Sequence, residues 1–291
     1  MRKIAGVLLV GLASKIAANF EPTHKDISMT LPSGTPIGFD LGNDNPEEAQ
    51  RFYGELFGWA FEGRGPNFHH YHLITQNGGY VGGLMNSKMS TEGELDEAPY
   101  PNHWAVYLST DHIETAYSKV EKNGGVGIFG PMWVGEMGAM ALAKDSAGAE
   151  VGFWQPGTMS GYEFTAQPGT PVWFENMSRD FDAALPFYQN IFGWEPSFME
   201  GAEYSSFRYA TNFKSEQGSA GICEADGLLP ESVPSHWRIF FRVEDADITA
   251  RRAAELGGQI VSQPQDNLLG RVVALKDSTG APFMIIQTVN H

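Results

Sequence analysis

The sequence predicts an α+β fold built as a tandem pair of domains, each made of two βαβββ units that form a half-barrel cleft. Three observations carry this reading. A length of 291 residues suits about two domains. A set of landmarks occurs twice, in the same order and at a nearly constant offset. Within each copy, the sequence strand, amphipathic helix, short strands is itself repeated.

The landmarks define the repeat. Phe52-Tyr53-Gly54-Glu55-Leu56-Phe57-Gly58-Trp59 returns as Phe187-Tyr188-Gln189-Asn190-Ile191-Phe192-Gly193-Trp194. Gly34-Thr35-Pro36 returns as Gly169-Thr170-Pro171, and Pro101-Asn102-His103-Trp104 as Pro234-Ser235-His236-Trp237. Gly124-Gly125 matches Gly257-Gly258, and Asp145-Ser146-Ala147-Gly148-Ala149 matches Asp277-Ser278-Thr279-Gly280-Ala281. The expected domains are residues 34–157 and 169–288, with 158–168 as linker and 1–33 as leader and linker.

The elements of the first copy follow in order. Pro36 to Leu41 reads as a short strand. Pro46 to Phe57 is helical, because Ala49, Phe52, Tyr53 and Leu56 share one face. Asn45 is a good N-cap, Pro46 suits the first turn, and Gly58 is a plausible stop. Strand-like runs follow at His70–Ile74, Tyr80–Met85 and His103–Leu108. Asp111 to Asn123 reads as a second helix ending at Gly124-Gly125. Val126–Phe129, Ala139–Lys144 and Glu150–Trp154 supply three more strands.

Composition narrows the function classes. Hydrophobic residues are 42% of the chain and aromatics 12%, enough for sizeable cores. The net charge of −16 disfavours nucleic acid and anionic lipid as partners, which leaves a small-molecule ligand. Cys223 is the one cysteine, so no intramolecular disulfide can form. Arg2 and Lys3 precede an apolar run from Ile4 to Ala13, the order of an export signal. An amphipathic leader fits the same residues, and the run is too short to span a bilayer. A cytoplasmic and an exported protein both stay open, as do a monomer and a homodimer.

Residues 34 to 288 resemble the vicinal oxygen chelate superfamily, which includes lactoylglutathione lyase, bleomycin-resistance proteins and extradiol dioxygenases. The resemblance rests on the FY…LFGW helix and the DSAGA turn into a final strand. Gly130-Pro131, Gly138 and Phe153-Trp154-Gln155-Pro156-Gly157 further resemble two-domain bacterial proteins labelled hydroxylase or glyoxalase-like. The resemblance implies paired βαβββ units and a small-molecule cleft. It does not choose among lyases, dioxygenases and non-catalytic binders.

Metal enzymes of this family place His, Gln or Glu ligands at four strand positions. In the first copy those positions fall on Gly38, Gly82 or Gly83, Ala105 (His103 if the register slips), and Gly152. In the second they fall on Trp173, near Gly221, Arg238 (or His236), and Met284. At most one ligand survives per copy, and one imidazole does not hold a catalytic divalent ion. The expectation is a bleomycin-resistance-like, metal-independent binder with no cofactor. The alternative is a lyase, isomerase or hydroxylase-like enzyme, with a metal held by ligands elsewhere still open to it.

Other residues could act in place of a metal. Asp40 and Glu175 repeat two residues beyond the first ligand position, and His103 and His236 repeat on the fifth strands. A carboxylate near an imidazole makes an acid–base pair. The same histidines could instead simply donate to backbone carbonyls. Tyr80, Tyr107, Trp133 and Trp173, with Met132, Met137 and Met140, could line an apolar ligand site. Arg238 should meet a carboxylate such as Glu175 or an anionic ligand. His70 and His72 are spaced to share one strand face, with His69 on the other. Cys223 reads as a small core residue.

Overall fold

Asn45 opens the first long helix as expected. Its side chain accepts a hydrogen bond from the Glu48 amide at 3.3 Å, and Pro46 occupies the first turn. Helix α1 (Pro46–Phe57) then stops at Gly58, whose φ of 71° is left-handed. Its repeat, α3 (Phe181–Phe192), is capped by Asp180 and stops at Gly193 with φ 72°. A computed structural model provides this description, which covers residues 31–68, 70–90, 93–162, 166–199, 207–214, 217–267 and 269–288. The leader lies outside them. Among the described residues, no helix is long and apolar enough to cross a membrane.

The first repeat contributes strands β1 (Pro36–Asn43), β2 (Ala60–Gly63), β3 (His72–Gln76) and β4 (Gly79–Asn86) around α1. A small hairpin, β5 (Met89–Ser90) and β6 (Gly93–Glu94), follows. Then come β7 (His103–Ser109), helix α2 (Ile113–Tyr117), β8 (Val126–Trp133), β9 (Gly138–Lys144) and β10 (Glu150–Pro156). Eight of these strands form one sheet in the order β2-β3-β4-β1-β7-β10-β9-β8.

The second repeat supplies β11 (Pro171–Ser178), α3, β12 (Ser197–Phe198), β13 (Tyr209–Thr211) and β14 (Ala220–Glu224). It continues with β15 (His236–Arg242), α4 (Ala246–Glu255), β16 (Gln259–Ile260), β17 (Gln265–Asn267), β18 (Gly270–Lys276) and β19 (Pro282–Thr288). Their sheet has the matching order β12-β13-β14-β11-β15-β19-β18-β16, with β17 on β18. This is the tandem α+β arrangement with βαβββ character that the repeats predict.

Two elements differ from expectation. The helix read over Asp111–Asn123 is only five residues long, followed by a 3-10 turn at Glu121–Asn123 that Gly124 ends with φ 80°. Ile113, Ala116 and Val120 still bury one face, which is why the helical spacing was visible. The strand read from His70 begins at His72. His70 has φ 57° and belongs to the preceding turn.

The chain divides into two compact bodies that cut across the repeats. The first holds residues 105–161 and 174–237, with the start of β1. The second holds 39–104, 162–173 and 238–291. Each body therefore combines a helix-bearing half of one repeat with the opposite half of the other.

Packing within each body explains this. In the first, Phe192 of α3 packs tilted against Phe153 of β10 with ring centroids 4.7 Å apart. In the second, Phe57 of α1 packs at 5.4 Å from Phe241 on β15 and 6.1 Å from Phe283 on β19. The repeated tryptophans close the same bodies: Trp59 Nε1 donates to Gly169 O at 2.8 Å, and Trp194 Nε1 to Gly34 O at 3.0 Å.

A buried polar cluster sits at the centre of the first body. Tyr188 Oη donates to Asp145 Oδ2 at 2.7 Å, and Asn176 Nδ2 donates to the same oxygen at 3.0 Å. Asp145 Oδ1 accepts from the amides of Ala147 and Ala149, both at 2.9 Å, and Trp237 Nε1 donates to Tyr188 Oη at 3.1 Å. In the second body the corresponding Asp277 Oδ1 takes the amides of Thr279 and Ala281. There Tyr53 Oη, Trp104 Nε1 and Asp277 Oδ2 are buried without hydrogen-bond geometry.

Burial raises the pKa of Asp145 above the usual carboxylate range, while the Tyr188 hydroxyl and the other donors pull it back. A raised folded-state pKa means this carboxyl favours folding most in acid, and that contribution is lost as pH rises through the raised value. Tyr188→Phe removes a donor and raises that pKa further. Its cost should be about 1–3 kcal/mol where the carboxyl is protonated, because Trp237 Nε1 loses its acceptor, and should grow as pH rises and the carboxyl ionises without its hydroxyl donor. Denaturant unfolding of both proteins between pH 4 and 8 checks this.

Candidate functional site

Three of the glycines read from the sequence as standing at ligand positions of the first repeat, Gly38, Gly83 and Gly152, each lie under a tyrosine. On β10, a Cβ at Gly152 would overlap the Tyr107 ring. On β1, a Cβ at Gly38 would lie 3.6 Å from the Tyr107 Cβ. On β4, Gly83 pairs with Asp40, and a Cβ there would overlap the Tyr71 hydroxyl. The glycines thus leave room for tyrosine side chains. In the second repeat the same relation holds at Gly221, which a Cβ would drive into Tyr209.

Asp40 accepts a hydrogen bond from Tyr71 Oη at 2.9 Å. Tyr80 stands close by: burial raises its pKa, and the charge of Asp40 raises it further. The second body therefore brings Asp40, Tyr71 and Tyr80 together. The sequence reading found Asp40 and Tyr80 but missed Tyr71. The signal was alternation, because Tyr71 and Leu73 sit two apart, with Leu73 paired opposite Gly83.

His103 and His236 adopt the same pose. His103 Nδ1 lies 3.0 Å from Pro101 O, and His236 Nδ1 lies 2.8 Å from Pro234 O. A carbonyl can only accept, so Nδ1 is the donor in each contact. His103 also meets Tyr100 edge-on at 5.2 Å, and a Cβ at Gly42 would lie 3.7 Å from His103 Cε1. Glu175 is buried on β11, beside Gly221 of β14.

His70 and His72 do not share the strand face that their spacing suggests. His72 is on the α1 side of its sheet, with Nε2 3.4 Å from Gln50 Nε2, while His70 lies in the turn. Burial lowers the His72 pKa. His69 lies outside the described residues. Cys223 is buried, with its thiol 3.7 Å from Glu224 O.

The ligand positions of β11, β15 and β19 hold Trp173, Arg238 and Met284. Phe240, Met284 and Ile286 form one buried cluster, against which Val172, Trp173, Val272 and Ala274 pack. Phe240 pairs with Met284 across β15 and β19, and Val272 with Ile286 across β18 and β19. The Arg238 guanidinium lies over the Phe240 ring, 5.3 Å from its centroid. Sequence reading singled out Trp173 and Arg238, and strand alternation would have added Phe240 and Ile286. Elsewhere, Tyr107 is buried, Met132 pairs with Met140 across β8 and β9, and Met137 is buried. Trp133 is 55% exposed at the end of β8, the last strand of its sheet.

Residues 160–285 match the family described as the Glyoxalase/Bleomycin resistance protein/Dioxygenase superfamily. Over 264 residues the chain is 31% identical to the "Putative glyoxylase CFP32" of Mycobacterium tuberculosis, covering 87% of this chain and 95% of that protein. The chain belongs to this superfamily.

It is also 32% identical over 262 residues to the "Anthracycline biosynthesis protein DnrV" of Streptomyces peucetius, with 87% of this chain and 93% of that protein covered. Among solved structures, the Mn(II)-bound glyoxalase of Novosphingobium aromaticivorans aligns with a TM-score of 0.58 at 15% identity, over 89% of this chain and 85% of that one. The 2,3-dioxygenase LapB of Pseudomonas sp. KL28 aligns at 0.59 and 12%, over 90% and 95%. At those identities the likeness is one of fold.

The side chains at the positions expected from the sequence to match the family's metal ligands do not fit a divalent metal. Glycine, alanine, tryptophan and methionine offer no oxygen or imidazole donor, and a guanidinium repels a cation. Among the described residues, no group of three or more His, Cys, Asp or Glu could hold an ion.

The glycine–tyrosine contacts are testable. Gly152→Ala should destabilise the protein by about 1–3 kcal/mol through overpacking. In a Tyr107→Ala background the same change should cost much less. A double-mutant cycle from denaturant melts measures that coupling, and additive costs would show that Tyr107 does not sit over Gly152.

Proposed function

We propose that this superfamily member binds a small organic molecule without the divalent metal of its catalytic relatives. One observation carries the proposal: the positions expected to match the family's ligands hold Ala105 and glycines beneath tyrosine rings in the first repeat, and Trp173, Arg238, Met284 and a glycine beneath Tyr209 in the second. An apolar surface with few polar groups suits an aromatic or otherwise hydrophobic ligand. The relative named for anthracycline biosynthesis supports that class, since anthracyclines are polycyclic aromatic compounds. The domains would be residues 34–157 and 169–288. Tyr80, Tyr107, Trp133, Trp173 and Arg238 are proposed as ligand-contacting residues.

Protein purified without chelators should contain far less than one equivalent of divalent metal, and added Mn(II), Ni(II) or Zn(II) should leave ligand affinity unchanged. Elemental analysis with native mass spectrometry reads both. A stoichiometric metal would return the glyoxalase-type reading to first place.

The matching poses of His103 and His236 favour a second reading, an acid–base catalyst acting on a small carbonyl or aromatic compound. Each Nε2 would take or give a proton, with Asp40 or Glu175 as the second group of each pair. On this reading His103→Asn and His236→Asn together lower turnover of a carbonyl substrate at least a hundredfold. On the binding reading they leave ligand affinity within about twofold.

A further inference from the structure

The chain contains the tripeptide Asn-Gly-Gly twice, at Asn77-Gly78-Gly79 and at Asn123-Gly124-Gly125. Asparagine followed by glycine is prone to deamidate, because the uncrowded glycine amide can turn back on the side-chain amide. The two sites share these three residues, so a large difference in reactivity between them would belong to the structure.

At Asn123 both reacting groups are engaged. Its Nδ2 donates to Lys119 O at 2.8 Å, and its Oδ1 accepts from Asn190 Nδ2 at 2.8 Å. The Gly124 amide, which would have to attack, donates to Glu121 O at 3.1 Å. Asn77 and Gly78 are exposed instead, and form the two-residue turn between β3 and β4, where Gln76 pairs with Gly79. Their φ values of 52° and 82° are both positive, as a type I′ turn requires. The Asn77 side chain makes one long contact, Nδ2 to Gln167 Oε1 at 3.4 Å. Among the described residues the Gly78 amide has no acceptor, and a Cβ at Gly78 would meet nothing within 4 Å.

We propose that Asn77 is a deamidation site, and that its isoaspartyl product loosens the β3–β4 hairpin. The Gly78 nitrogen loses its proton to base and attacks Asn77 Cγ. The new C–N bond closes a succinimide, the Cγ–Nδ2 bond breaks, and ammonia leaves with a proton returned to it. Water then opens the ring at either carbonyl, giving aspartate or isoaspartate. Aspartate preserves the turn, since Gln167 can reverse its amide and donate to the new carboxylate. Isoaspartate runs the main chain through the side-chain methylene, which lengthens a turn whose two residues set the register of Gln76 against Gly79. This end of the hairpin borders a cavity of about 160 Å³ lined by Gln76, Tyr80, Val81 and Gln167, and Gln76 Nε2 there holds Phe57 O and Pro168 O. The proposal holds whether or not the protein binds a metal.

The full chain is aged at mildly alkaline pH, digested and mapped by mass spectrometry, with isoaspartyl carboxyl methylation separating the two products. Asn77 should convert at least about tenfold faster than Asn123, which must first open locally. In denaturant the two rates should converge, and Asn190→Ala should speed Asn123 in the folded protein while leaving Asn77 unchanged. Hydrogen exchange of the β3 and β4 amides should be faster in the isoaspartyl form than in the Asn77→Asp protein. Similar folded-state rates at the two asparagines, or earlier conversion of Asn123, overturn the site. Equal exchange in the isoaspartyl and Asn77→Asp forms overturns the loosening.

Discussion

The fold depends on one buried constraint, the hydrogen-bonded carboxylate of Asp145. Its four donors come from its own turn, from β11 and from helix α3, so one side chain ties the end of one repeat to the start of the next. A buried carboxylate without such donors would be very costly, so the segments that supply them must be in place together. The Tyr188 hydroxyl then accepts from Trp237, which extends the tie to β15. Asp277, Tyr53 and Trp104 occupy the equivalent places in the second body, where the Tyr53 and Trp104 rings meet edge to face. The residues that announce the repeat are therefore mostly residues that build it.

That assignment frees the site from the motifs. Tyr53, Trp59, Asp145 and their repeats are spent on the core, and His103 and His236 turn one ring nitrogen to a backbone carbonyl. The strands that follow them carry different side chains in the two repeats, with Tyr107 against Gly38 and Gly152 in the first and Trp173 and Arg238 against Phe240 in the second.

Much of the fold was legible in the residues. The Asn45-Pro46 start and Gly58 stop bounded α1 because capping and left-handed turns have strong local preferences. Asp111–Asn123 was read too long, because its buried spacing continues through a turn that is no longer α-helical. His70 and His72 were read as one strand face, because alternation cannot see the positive φ that places His70 in a turn. Tyr71 escaped notice because its partner, Asp40, is 31 residues away and its seat exists only where Gly83 is.

By itself, the sequence determined the tandem α+β repeat and the helix boundaries of the FY…LFGW segments. Those follow from local preference and residue identity, which need no partner. Only the tertiary structure decided that each helix packs against the opposite half of the other repeat. Only it decided that tyrosines cover the first repeat's glycines, and that Trp173 and Arg238 join Phe240, Met284 and Ile286 on one face. Those arrangements join residues distant in the chain, and side-chain volume and strand register settle them where composition and spacing have nothing to say.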